Sequence, residues 1–143
     1  MVRTSKQIIV MRKSFFINGK KVTPRKGKYV AQGAHASLKA ILNEISFGSY
    51  ADGKGNVSGE LFLKNGSAIQ DWICGSFTKV CCEVETEEEL LAIYNKAKEA
   101  GLITALIVDS GRTEFSGLPT TTCCSVLGWS DELENITGHL KLF

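Results

Sequence analysis

The apolar positions of this chain change period several times, and each change marks an element. Residues 6–12 (KQIIVMR) form a short β-branched run of the kind buried on both faces of a sheet, and they predict a first strand. Asn18-Gly19 favours a tight turn with positive φ, and Pro24 discourages helix before it, so a basic loop or small hairpin follows. From near Lys28 the apolar residues Val30, Ala34, Leu38, Ile41 and Ile45 recur every three or four positions, predicting a helix with that stripe against a sheet. At about 100° per residue, Lys28, Gln32, His35 and Lys39 then share a second, polar face.

Residues 46–70 lose the periodicity, scattering Gly48, Gly53, Gly55, Gly59 and Gly66 among small polar residues, with room for a short strand at 60–63. A loop this long inside a compact domain is expected to be a flexible flap or excursion. Residues 77–84 (FTKVCCEV) restore a strand, and Thr86 with Glu89 makes the T-x-x-E capping box of a helix whose apolar stripe is Leu90, Leu91, Tyr94 and Ala97, closed by Gly101. Strands at 102–108 and 120–127 and a short helix at 131–136 complete the pattern, and Leu140, Leu142 and Phe143 give the terminus an apolar edge with which to dock. The order strand, helix, strand, helix, strand, strand, helix predicts an α/β sandwich around a mostly buried mixed sheet.

Length and composition refine this picture. A chain of 143 residues suits a single domain, here 1–143 with a flexible insertion at about 46–70, and 43% hydrophobic with 22% charged residues excludes wholesale disorder. Five cysteines, two pairs of them adjacent, form neither a disulfide framework nor a CxxC metal knuckle and suit reduced thiols in a cytosol. The longest early apolar run, residues 8–11, is too short for a signal segment or a membrane span. The net charge of +2 hides an asymmetry, because residues 1–39 carry ten Lys or Arg and no acid, while residues 83–143 hold eleven of the fifteen acids. Clustered positive charge supplies the sequence-independent part of phosphate-backbone binding and suits a solvated face equally well.

Chemistry concentrates where the apolar run Leu106-Ile107-Val108 gives way to Asp109-Ser110-Gly111-Arg112-Thr113-Glu114-Phe115. Ligands of α/β sheets gather at the carboxyl ends of strands, which is where this carboxylate, guanidinium and hydroxyl fall. Arg25-Lys26-Gly27-Lys28 opens the first helix with a glycine that allows close approach of a phosphate, although no P-loop is present. His35 is an alternative general base.

Taken together, the stretch from Arg25 to Ala36, the stretch from Asp109 to Phe115 with Gly117, Pro119 and Thr120, and the terminal Thr137-Gly138-His139-Leu140-Lys141-Leu142 closely resemble the peptidyl-tRNA hydrolase 2 family of archaeal and eukaryotic-type enzymes. The resemblance implies a three-layer sandwich with a mixed four-stranded sheet flanked by helices, a metal-free and cofactor-free esterase, a cytoplasmic location and frequently a homodimer. The implied reaction cleaves the ester of peptidyl-tRNA to free tRNA and peptide. Carried onto this chain, it implies catalytic roles for Lys28, Gln32, Asp109, Thr113 and a threonine of the 120–122 run, with Thr122 favoured. Substrate contacts fall to Arg25, Lys26, Gly27, His35, Arg112 and Thr120. The competing reading from another class is a noncatalytic RNA-binding or protein-interaction adaptor on the same scaffold.

Overall fold

A computed structural model describes residues 2–143. Nine strands and four helices follow in the order β1 (Ser5–Arg12), β2 (Phe15–Ile17), β3 (Lys20–Val22), α1 (Lys26–Leu42), β4 (Ile45–Ser49), β5 (Val57–Leu61), α2 (Ala68–Cys74), β6 (Lys79–Val84), α3 (Glu87–Glu99), β7 (Ile103–Asp109), β8 (Thr120–Trp129), α4 (Ser130–Thr137) and β9 (Lys141–Leu142). The main sheet runs β7-β8-β1-β6-β9, with β1 parallel to β6 and antiparallel pairs at β1·β8, β7·β8 and β6·β9. This is the expected α/β sandwich with one strand more than the expected four. The extra strand arises because Lys141 and Leu142 pair with Glu83 and Cys82 along the outer edge of β6.

Side chains alternate across β1 and β8 and so build two cores. Ile8, Val10, Cys124 and Val126 face α3 and α4, where they pack with Leu90, Ile93, Ala97, Leu133 and Ile136. On the opposite face Met11, Ile107 and Cys123 meet Ala36 of α1, and Leu127 meets Ile69 and Trp72 of α2. Two polar residues join α1 to the sheet within this second core. Gln7, fully buried, donates to the Ser37 carbonyl at 3.1 Å and accepts from its hydroxyl, while Ser125 donates to the Ala36 carbonyl at 2.7 Å.

The orientation of α1 differs from that expected from its apolar stripe. Val30 and Leu38 are 72% and 59% exposed, whereas the buried residues of the helix are Gln32, Ala36 and Ala40. The sheet-facing side is small, which lets the helix approach closely, and its one large polar member is satisfied by hydrogen bonds to the sheet side. The larger aliphatics instead flank an open groove of about 1210 Å³ beside β1 and β6, lined by Ile9, Met11, Val30, Leu38, Trp72 and Phe77 among others.

The local signals hold in detail. Asn18 and Gly19 have φ of 52° and 78° at the turn between β2 and β3. The Thr86 hydroxyl accepts from the Glu89 amide at 3.2 Å, and the Glu89 carboxylate reaches back to the amide of Glu85, one residue earlier than in the usual box. Residues 46–70 hold most of an antiparallel hairpin, β4 with β5, and the start of α2, whose Trp72 is 1% exposed and donates to the Thr78 carbonyl at 2.7 Å.

Candidate active site

Two segments separated by about eighty positions converge at the carboxyl end of β7. Asp109 is the last residue of that strand, and Lys28 and Gln32, one helical turn apart on α1, both point to it. The Lys28 ammonium donates to Asp109 Oδ2 at 3.0 Å and to Thr113 Oγ1 at 3.0 Å; Gln32 Nε2 donates to Asp109 Oδ1 at 3.1 Å. A third donor to the carboxylate is the Gly111 amide, 2.8 Å from Oδ2. Gly111 has φ of 80°, and a β-carbon there would collide with the Leu118 carbonyl, so the tight return that aims its N–H at Asp109 requires glycine.

Behind this cluster lies a β-bulge. The β7·β8 register passes from Ile107↔Cys123 to Val108↔Thr121, leaving Thr122 as the extra residue on β8. Regular alternation would set Thr122 and Cys123 on opposite faces, but with the bulge both turn to α1. The Thr122 hydroxyl donates to Gln32 Oε1 at 2.6 Å, and the Cys123 thiol donates to the Gln32 carbonyl at 3.2 Å. Thr122 therefore fixes the amide orientation, because the flipped amide would press its oxygen against the Asp109 carboxylate. Burial pushes the Cys123 thiol up to about 12, so it stays protonated and is no nucleophile.

The electrostatics follow from the same contacts. Burial opposes the charge on Asp109, but the hydrogen bonds from Lys28, Gly111 and Gln32, together with the Lys28 charge, outweigh it and hold the carboxyl below the usual carboxylate range. Both partners of the ion pair are largely enclosed, with side chains 14% and 13% exposed. An ionised carboxylate offers about four acceptor positions, and three are filled here. Lys28 likewise spends two of its three N–H donors within the protein.

The structure thus brings together Lys28, Gln32, Asp109, Thr113 and Thr122. The other candidates lie outside this hydrogen-bonded cluster. Lys26, Gly27, His35 and Arg112 are exposed, and Thr120 bonds the Leu118 carbonyl at 2.8 Å. Arg25, 85% exposed, is paired through Nε with Glu114 at 2.8 Å. Sequence reasoning gave no role to Glu114 or to Phe115, which is fully buried, stacks on Phe15 at 4.8 Å between centroids and lies 5.6 Å beneath the Lys28 ammonium. A wholly apolar residue directly after a run of polar ones was the available signal for Phe115; nothing in the one-dimensional pattern pairs Glu114 with Arg25.

A family model described as Peptidyl-tRNA hydrolase PTH2 matches residues 5–143. The chain is 37% identical over 119 residues to a peptidyl-tRNA hydrolase of Methanocaldococcus jannaschii, covering 82% of this chain and 87% of that protein. It is 34% identical over 140 residues to a peptidyl-tRNA hydrolase of Nanoarchaeum equitans, covering 96% and 98%. A solved structure of a protein of unknown function from Agrobacterium tumefaciens superposes with a TM-score of 0.55 at 16% identity, covering 100% of this chain and 99% of that one, and shares the fold.

Proposed function

The chain belongs to the Peptidyl-tRNA hydrolase PTH2 family, and from that premise we propose that it hydrolyses the ester joining peptide to ribose in peptidyl-tRNA at the Lys28–Asp109 cluster. The observation that carries this reading is a carboxylate gripped by three donors, with one acceptor position left open beside a lysine with one N–H to spare. A water bound at the open position of Asp109 is oriented toward the ester carbonyl carbon. As the water oxygen attacks, negative charge moves onto the carbonyl oxygen, where the free N–H of Lys28 meets it. Thr113 accepts from Lys28, so its own hydroxyl proton is available to the same oxyanion. Collapse breaks the bond to the ribose oxygen, which takes up the proton shed by the attacking water, relayed through solvent, and leaves as a hydroxyl. A carboxyl held below the usual carboxylate range is a weak base at neutral pH, so Asp109 serves chiefly to orient the water and to sustain the Lys28 charge.

The substrate's phosphates meet the basic surface around this cleft, with Lys26, Arg112, Arg25 and the backbone of Gly27 as contacts and with His35 and Thr120 at its margin. A peptidyl-tRNA substrate supports a cytoplasmic location. Among the described residues no helix is long and apolar enough to cross a membrane. The proposal extends to a homodimer that buries the apolar groove beside α1, where Val30 and Leu38 are otherwise exposed to water. Sedimentation of the wild type is expected to give two chains and Val30→Glu one; a wild-type monomer contradicts this pairing.

Incubation of the purified protein with N-blocked aminoacyl-tRNA, with and without a chelator, tests the activity directly. Release of free tRNA in both conditions is expected. No release above the uncatalysed rate removes the enzyme reading in favour of a noncatalytic adaptor.

A further inference from the structure

Resting on that reading, we propose that Glu114 is a positioning residue that locks the two halves of the site together, its carboxylate reaching from the loop of Asp109 and Thr113 to Arg25, the residue that caps the start of α1. The helix needs such a partner. Arg25 occupies its N-cap without any side-chain cap hydrogen bond, and the first turn contains no acid. The leading amides of a helix are otherwise orphaned, and a negative charge is the group that suits them.

Glu114 supplies both. Oε2 accepts from the Arg25 amide at 3.0 Å and Oε1 from Arg25 Nε at 2.8 Å, and the Glu114 side chain is only 12% exposed. Its neighbours act on the same helix, since Thr113 accepts from Lys28 and Phe115 forms the floor under the Lys28 ammonium. The loop is itself closed by the Gly117 amide donating to the Gly111 carbonyl at 2.8 Å. A shift at Arg25 is therefore passed to Lys28, less than one turn along, and from there to Asp109. Glu114 makes no hydrogen bond to Asp109 or Lys28; its charge acts on the Lys28 ammonium across space, and its positioning effect passes through the placement of α1.

The test follows the Asp109 carboxyl by carbon NMR titration in Glu114→Ala and Glu114→Gln, alongside kcat and KM. With the helix loosened, Asp109 in Glu114→Ala is expected to titrate about one unit higher than in the wild type, the scale of a weakened charge pair. Glu114→Gln keeps an oxygen for the Arg25 amide and is expected to retain most of the wild-type value. Loss of a nearby negative charge without movement lowers the midpoint instead, so an unchanged or lowered midpoint in Glu114→Ala overturns the proposal. The kinetic counterpart is a kcat about tenfold lower in the alanine variant with KM little changed, and partial rescue by glutamine. Because φ of Arg25 is −67°, Arg25→Pro fits the backbone while deleting the amide donor, and it gives a second route if Glu114→Ala does not fold. It is expected to raise the Asp109 midpoint further than Arg25→Ala, which removes the same charge but keeps the amide; equal shifts overturn the proposal. A wild type that releases no tRNA defeats the functional reading while these titrations still decide the role of Glu114.

Discussion

Thr122→Val separates positioning from charge within the site. Thr122 is 1% exposed and its hydroxyl meets Gln32 Oε1 at 2.6 Å, so valine deletes one buried hydrogen bond at nearly constant volume and strands the amide oxygen. Leaving a buried acceptor unpaired costs about 2 kcal/mol, which for a chain of this size lowers Tm by roughly 4–8 °C. Turnover suffers separately. With its oxygen unheld the Gln32 amide is free to rotate, and Asp109 loses one of its three donors. A hydrogen bond to a charged acceptor is worth about 1.5–3 kcal/mol, so kcat is expected to fall about 10- to 100-fold while KM for tRNA stays near wild type. Thr122→Ser, which keeps the hydroxyl, is expected to recover most of both quantities. Thermal melts and release of free tRNA from N-blocked aminoacyl-tRNA measure the two effects; a valine variant that melts lower but turns over normally refutes the claim that Thr122 acts through Gln32 on Asp109.

The remaining predictions concern charge. Asp109 has a folded-state pKa below its unfolded value, so its contribution to stability is complete above the ordinary carboxylate pKa of about 4 and is lost as pH falls through the lower folded value. Lys28→Met removes a partner that depresses it and brings the folded value toward the unfolded one, so in melts across acidic pH the stability lost below about pH 5 is expected to be smaller than in the wild type. Lys26→Ala is expected to flatten the salt dependence of tRNA binding by about one unit of slope with kcat unchanged, whereas an unaltered slope takes Lys26 out of the phosphate interface.

Strand periodicity, the Asn18-Gly19 turn and the Thr86 cap were legible because each is a local preference that the fold leaves uncontested. The face of α1 was not. Periodicity ranks Val30, Ala34 and Leu38 as the buried stripe, but close packing on β8 favours the small Ala36 and Ala40, and Gln32 enters the core because Thr122 and Asp109 satisfy it. The aliphatic stripe is left beside the groove. α2 was missed because glycines and polar residues surround a short apolar pattern whose burial rests on two residues, Ile69 and Trp72. Within the site, the strand-end position of Asp109 and the helical spacing of Lys28 and Gln32 could be read from sequence. The bulge at Thr122 could not, since it is a property of the pairing with β7 and not of either strand alone.

The central claim is that the carboxylate of Asp109, held ionised by Lys28, Gln32 and Gly111, orients the attacking water. Single-turnover cleavage of N-blocked aminoacyl-tRNA by the wild type and by Asp109→Asn, with tRNA binding measured in parallel, tests it most directly. The rate is expected to fall about 10²-fold or more with tRNA affinity and fold preserved. An asparagine variant that cleaves at the wild-type rate contradicts the account.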